Sequence, residues 1–461
     1  MPNPQVEIEV KNSVDSRFSS ALETLKRLVA IPSVAWESHD LTKVRESAEA
    51  VKELAREAGF DEVEILTAQQ PDGRDGMPAV VAHKKPSPGY PTVLLYAHHD
   101  VQPVGDGADW NTDPWAATEI GDRLYGRGAA DDKAGVMTHL TSVAAVQEVC
   151  GDDLGLGITL FIEGEEEAGS PSFKNFLQTY RDKLEADAIV VADSSNWRAG
   201  VPALTTSLRG VISGTITVRT LDHALHSGMF GGPVVDANTA MVRLLASLHD
   251  DKGSVAVEGL VRGDEPSLTY EESDFRKDAG TLPEAPLTGV GSVASRLWQQ
   301  PALSIIGMDV TPVDQSSNTM AATARARVSL RVPPGQDPEK AHRLLSEHVS
   351  KHAPWGSEVD YEAGEAGQPF EADVTSEAAE AVLGAMRSAW STEPVLMGMG
   401  GSIPFVASLV ETFPQASILI TGIEDPDTRA HSANESLYIP DFQRAIVSEA
   451  LFLTHMNKKG Q

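Results

Sequence analysis

The stretch Thr92-Val93-Leu94-Leu95-Tyr96-Ala97-His98-His99-Asp100 reads as an apolar strand that empties into two imidazoles and a carboxylate. Side chains two apart on a strand share a face, so His98 and Asp100 point together and His99 points away. A carboxylate that accepts the other ring N–H of a metal-bound histidine fixes its tautomer and orientation. This pattern makes His98 a candidate metal ligand and Asp100 the group that orients it. Apolar runs at 157–162 and 188–192 have the composition of strands buried in parallel or mixed sheets. Each is followed by acid, Glu163 to Glu167 after the first and Asp193 after the second. Ligands of open α/β sheets lie outside the carboxyl ends of the strands, which is where these acids fall.

Outward from these strands, apolar spacing predicts helices at 16–30, 42–58 and 132–149, and further strands at 63–66 and 79–83. Strands alternating with helices predict an α/β layer sandwich, here a three-layer α/β/α domain. The rhythm changes after about residue 208. An alternating strand at 212–219, a helix at 234–248, a long polar stretch at 250–288, strands at 302–306 and 322–332, a helix at 338–352 and a short strand at 358–361 predict an inserted α+β domain. Helices near 376–390 and 441–454, with a strand at 417–421 between them, return to the first pattern. The predicted division is a large domain of residues 1–207 and 368–461 interrupted by a smaller one, 208–367.

More ligand-type side chains lie at element ends. Asp131 and Asp132 open a predicted helix after Gly126-Arg127-Gly128. Capping has a use for one aspartate and less for a second. A carboxylate has two oxygens and can bridge two cations, and Asp131 is the candidate for that role. His431 follows the 417–421 strand after a loop. Two adjacent glutamates in the 165–167 run allow one to bind metal while the other takes a proton from an activated water and returns it to the leaving group. Two divalent ions would be balanced by Asp131, Glu167 and Asp193 together with one hydroxide, a neutral core suited to a partly buried site.

Composition narrows the function classes. The 461 residues exceed one ordinary core, at roughly 150 residues per domain. With 37 basic and 67 acidic residues the formal charge is −30, a field that repels nucleic acid and anionic lipid. Neither nucleic acid nor a membrane is an expected partner. The first fourteen residues hold no apolar signal core, and the longest uncharged run, 394–410, is broken by glycines and a second proline, which argues against a membrane helix. The single cysteine, Cys150, permits no internal disulfide and suits a reducing, cytoplasmic setting.

Three motifs carry a family likeness: His98-x-Asp100-Val101-x-Pro103, Tyr125-Gly126-Arg127-Gly128-x-x-Asp131-Asp132-Lys133 and Glu163-Gly164-x-Glu166-Glu167-x-Gly169-Ser170. In them, and in the order of the later islands, the chain resembles the zinc-dependent exopeptidase family that includes carnosinase, aminoacylase, acetylornithine deacetylase and succinyl-diaminopimelate desuccinylase. Gly400-Gly401-Ser402-Ile403-Pro404 is similar to its dipeptidase branch. The chain departs from that branch at Ala224, where aspartate is usual, and at Asp132, where asparagine is common. The glycines at 398, 400 and 401 lack the spacing of a dinucleotide fingerprint.

The resemblance implies two zinc ions per subunit, with manganese or cobalt as substitutes. Asp131 would bridge them, His98 and Asp193 would complete one set, and Glu167 and His431 the other. It implies Glu166 as general base and acid, and a cis peptide between Asp131 and Asp132. It implies that the inserted domain is a lid and dimerisation domain. There His226, in Leu225-His226-Ser227-Gly228, would reach a partner subunit's site in a homodimer and stabilise the oxyanion. Arg331 would hold a substrate carboxylate through its guanidinium fork, with Asn318, Gly401 and Ser402 helping to bind substrate. The expected activity is hydrolysis of dipeptides or short peptides bearing a free C-terminal carboxylate. An N-acyl-amino-acid deacylase or desuccinylase, and a non-catalytic binding protein on the same fold, are the alternatives.

Overall fold

The computed structural model describes residues 4–401 and 403–459. The chain forms two compact units. The first comprises Met1–Thr206, Ala372–Met397 and Ser408–Gln461, and the second Ser207–Glu371 and Gly398–Ala407. The predicted boundaries near 208 and 367 leave out the last of these segments. Gly398–Ala407 groups with the second unit because Arg209 donates from Nε to the Gly400 carbonyl at 2.9 Å and the Trp298 ring lies against Gly398, where a Cβ would come within 2.5 Å of it.

In the first unit the sheet runs in the order Glu62–Leu66, Ala79–Lys84, Gly157–Glu163, Thr92–His98, Ala188–Val191, Ser417–Ile420, Ala203–Leu208. Thr92–His98 pairs parallel with both Gly157–Glu163 and Ala188–Val191, and Ser417–Ile420 pairs parallel with Ala188–Val191. The carboxyl ends of four adjacent strands therefore share one edge. Both faces of these strands are covered, which is why they read as continuous apolar runs. Val93, Leu95 and Ala97 face a core with Leu25 of helix Pro4–Val29, Val136 and Leu140 of helix Lys133–Cys150, and Phe442 of helix Ile439–Met456. On the alternate face Tyr96 meets Phe161 and Phe173 edge-on, and Phe161 stacks on Phe176 of helix Phe173–Thr179. Helices on both faces of a mixed sheet make the α/β/α sandwich.

One element differs from its sequence expectation. The first helix starts at Pro4 rather than near residue 16. Val10 and Val14 extend the buried stripe of Ala21, Leu25 and Leu28 at helical spacing, and the intervening charged residues hide that periodicity. The uncharged run 394–410 contains strand Val395–Met399 and leads into helix Pro404–Thr412. Among the described residues no helix is long and apolar enough to cross a membrane.

The second unit is a four-stranded antiparallel sheet ordered Ala302–Asp309, Thr323–Val332, Gly210–Arg219, Glu358–Gly367. Alternation along Thr323–Val332 turns Ala324, Ala326, Val328 and Leu330 inward. Helices Ala237–Ala246 and Pro338–Lys351 bring Met241, Leu244 and Leu345 to the same core. Each helix is opened by an aspartate, Asp236 accepting from the Thr239 N–H and Asp337 from the Lys340 N–H.

Leu95 is fully buried in the central strand. Leu95→Ala is expected to cost about 2–5 kcal/mol, read as a lower denaturant midpoint for the first unit. A change under about 0.5 kcal/mol, the usual scale for surface sites, would contradict this packing.

Candidate metal centre

The shared strand edge delivers the acids and imidazoles to one place. His98 is the last residue of its strand, Glu163 ends the neighbouring one, Asp193 lies two residues beyond Ala188–Val191, and His431 is on the loop after Ser417–Ile420. Ligand atoms of His98, Asp131 and Asp193 lie within 4.8 Å of one another, as do those of Asp131, Glu167 and His431. Asp131 belongs to both groups. Its Oδ1 is 3.1 Å from His98 Nε2, and its Oδ2 is 3.0 Å from His431 Nε2. His431 Nε2 is also 3.2 Å from Glu167 Oε2. His98, Asp131 and Glu167 are buried, while His431 is exposed.

The supporting contacts divide differently from the sequence reading. His98 Nδ1 is closer to the carbonyl oxygen of Asp100, at 3.1 Å, than to its carboxylate, at 3.5 Å. The Asp100 carboxylate instead accepts the backbone N–H groups of Glu166 at 3.1 Å and Glu167 at 3.0 Å. It holds the glutamate turn against the histidine strand. Asp132 precedes helix Lys133–Cys150 but does not cap it through its side chain. Its Oδ2 accepts the His98 N–H at 3.1 Å, so it steadies the strand end. The Asp131–Asp132 peptide is cis. His99 points away and its Nε2 donates to the Pro78 carbonyl at 2.9 Å. Burial pushes His99 down to about 4, so it is neutral.

One supporting residue has no signal in the sequence. Glu435 is fully buried. Its Oε1 accepts the N–H groups of Ala130 and Asp131 at 3.0 and 3.1 Å, and its Oε2 accepts Gly128 N–H at 3.0 Å and Arg127 Nη1 at 2.6 Å. It lies four residues after His431 and fixes the loop that carries Asp131. Only burial distinguishes it from a surface acid, and burial is not legible at an isolated loop position. The pairing of Tyr96 with Glu163 likewise has no signal in the sequence. The Tyr96 hydroxyl donates to Glu163 Oε2 at 2.5 Å beneath the glutamate turn.

Buried acids crowd this site and shift one another's protonation. Burial and then the charge of Asp193 push Glu166 up to about 9. Burial, reinforced by the charge of Asp131, pushes Glu167 up to about 7 and Asp193 to about 6. Hydrogen bonds to Asp131 and Glu167 raise His431 to about 11. For Asp131 burial opposes ionisation most, yet hydrogen bonds from His431 and His98 outweigh it and hold the carboxyl well below its usual range. Among the described residues the buried Oε1 of Glu167 has no hydrogen-bond partner. Two N/O donor sets sharing one carboxylate, with a spare buried oxygen, fit a pair of divalent cations.

The other sequence candidates lie in the second unit. His226 is exposed, and its Nδ1 accepts the Gly228 N–H at 3.1 Å at the start of helix Ser227–Phe230. Asn318 is exposed, and its backbone carbonyl accepts from Ser227 N–H and Oγ. Arg331 is half-buried near the end of Thr323–Val332, and Gly401 is half-buried. Ser402 lies outside the described residues.

The raised groups set a pH trend. Between ordinary values of 3.8 for Asp193, 4.5 for the glutamates and 6.5 for His431, and their shifted values, the metal-free fold holds more protons than the unfolded chain. Their contribution to metal-free stability therefore falls as pH rises from about 4 through 11. Metal must displace those protons. The rise in Tm on adding zinc to chelator-treated protein is expected to be larger at pH 8 than at pH 5.5. An equal or reversed increment would contradict this donor set.

The sequence model of peptidase family M20/M25/M40 matches residues 94–455. The chain is 33% identical over 422 residues to the cysteinylglycine-S-conjugate dipeptidase of Corynebacterium striatum, covering 90% of each chain. It is 27% identical over 449 residues to the Beta-Ala-His dipeptidase of Rattus norvegicus, covering 92% of this chain and 90% of that one. Its fold matches the crystal structure of human carnosine dipeptidase 1 with a TM-score of 0.76 at 24% identity, covering 99% of this chain and 100% of that one.

Proposed function

The chain belongs to the M20/M25/M40 peptidase family, and from that premise we propose that it is a dipeptidase, a metal-dependent hydrolase that cleaves the peptide bond of dipeptides or short peptides bearing a free C-terminal carboxylate. The observation that carries this reading is the double donor set around Asp131, with Glu166 beside it in neither set. Its relatives named for Cys-Gly-type and Beta-Ala-His dipeptides support the substrate class.

In this reading His98, Asp131 and Asp193 would hold one ion, and Asp131, Glu167 and His431 the other. Two imidazoles and three carboxylates suit zinc, with manganese or cobalt as substitutes. When bound, such ions polarise a carbonyl and acidify a water. Glu166 would take a proton from the attacking water and return it to the leaving amine. A carboxyl kept high by burial suits the donating half of this cycle, and nearby cations would favour the accepting half. Asp100 positions Glu166 through its backbone. Arg331 and Asn318, with Gly401 and Ser402, bind the substrate, and His226 of a partner subunit stabilises the oxyanion.

The partner is a second copy of the chain, and the setting is the cytoplasm. Supporting the first is the edge strand Ala302–Asp309, which exposes Ile305 and Ile306 at 49% and 56%. An apolar unpaired edge of this kind is a template for pairing. A single cysteine is compatible with the second.

Glu166→Gln is expected to retain two metal equivalents and to lose roughly 10²–10⁴-fold in kcat. Normal turnover would remove Glu166 from its role. A panel of dipeptides set against N-acetyl and N-succinyl amino acids tests the activity, and a preference for the acylated compounds would replace the dipeptidase reading with a deacylase one. Ile306→Asp is expected to shift the protein from dimer to monomer in light scattering, and a wild-type monomer with full activity would overturn the trans role of His226.

A further inference from the structure

Within the second unit, Gly210–Arg219 and Thr323–Val332 pair so that Val211 lies directly across from Arg331. Arg209 stands two residues before Val211. Its side chain leaves the same face of the sheet as that of Arg331, one diagonal away and within reach of a long side chain. Arg331 also lies across from Ala302 on its other side. Gln300, two residues before Ala302, offers its carbonyl to Arg209 Nη1 at 3.4 Å. Arg209 Nε donates to the Gly400 carbonyl at 2.9 Å, and its backbone N–H donates to Met399.

Arg209 is 8% exposed. Both acceptors of its guanidinium are neutral carbonyls, and among the described residues it has no carboxylate partner. Its Nη2 has no acceptor there either. A Cβ on Gly400 would lie 2.9 Å from that nitrogen, so glycine at 400 leaves the guanidinium its space. Burial, followed by the charge of Arg331, pushes Arg209 down to about 10. A buried cation such as Arg209, received only by neutral carbonyls and set beside a second cation, is unfavourable until an anion reaches it.

We infer that Arg209 is a specificity-determining residue, forming with Arg331 a two-guanidinium subsite for the free carboxylate of the peptide substrate. This rests on the dipeptidase reading and extends it. One fork binds a carboxylate in two parallel bonds. A second guanidinium adds charge that a C-terminal amide, or the next peptide unit of a longer chain, cannot balance. Arg209 would thereby enforce the preference for a free terminus immediately after the scissile residue pair.

The test uses the full-length, metal-loaded protein with Arg209→Gln and Arg209→Lys. Each is assayed on one dipeptide and on its C-terminal amide, with Tm and metal content measured alongside. Arg209→Gln is expected to raise KM for the free acid roughly 10- to 100-fold, with kcat and the amide reaction little changed. Arg209→Lys, which keeps the charge and loses the fork, should recover part of the acid preference. Parallel losses on acid and amide would overturn the inference in favour of a purely structural hold on Gly400, and so would unchanged kinetics. If Arg209→Gln does not fold, the lysine variant decides between the same outcomes. A wild type that cleaves no dipeptide sinks the activity reading instead. The subsite is then judged by calorimetry with a free amino acid and its amide, where equal affinities would end it.

Discussion

A single buried carboxylate, that of Asp131, organises the first unit's edge. Each of its oxygens faces a different imidazole, one on a strand end and one on a distant loop. Such an arrangement requires the Asp131 backbone to be held without using the Asp131 side chain. Glu435 supplies that hold through three backbone amides of residues 128 to 131, and Arg127 pairs with its remaining charge. A carboxylate with several N–H donors and a guanidinium is among the stronger neutral-pH anchors available to a buried loop. Because Glu435 follows His431 by four residues, the same contact brings the fourth strand's loop into register with the helix start.

The cost of this arrangement is the crowding of acids. Glu163, Glu166, Glu167 and Asp193 are all pushed upward, by burial first and then by neighbouring acids that include Asp131 and Asp100. A fold that kept them for stability alone would be poorly served, since unpaired buried carboxylates favour neutral forms. Their persistence together makes sense where cations take up the charge. Separation between ligand and proton-carrying roles then follows from the turn itself. Asp100 accepts from the N–H groups of both Glu166 and Glu167, fixing the two glutamates while only Glu167 enters a donor set.

The second unit shows the inverse pattern in a chain of formal charge −30. Its sheet places Arg209 and Arg331 on one face, where backbone carbonyls rather than acids receive Arg209. Gly398–Ala407 is drawn into that unit by these contacts.

Much of this was legible in the residues. Continuous apolar runs at 92–97, 157–162 and 188–191 are the signature of strands covered on both faces, and the ligand-type residues just beyond them mark the strand ends as chemical positions. Period-two alternation in 323–332 separates the second sheet from the first. The early turns of the first helix were not legible, because charged residues dilute a buried stripe that includes Val10 and Val14. Neither were Glu435, Arg209 and the Tyr96–Glu163 pair, whose types are ordinary surface types and whose meaning comes from burial. By itself the sequence determined which elements form and which side chains can bind metal, since periodicity and donor chemistry are local properties. Tertiary structure alone decided that four strands run parallel with their ends aligned, and which backbone groups brace the ligands. Those outcomes depend on hydrogen bonds and desolvation between residues more than three hundred positions apart, and no local pattern encodes them.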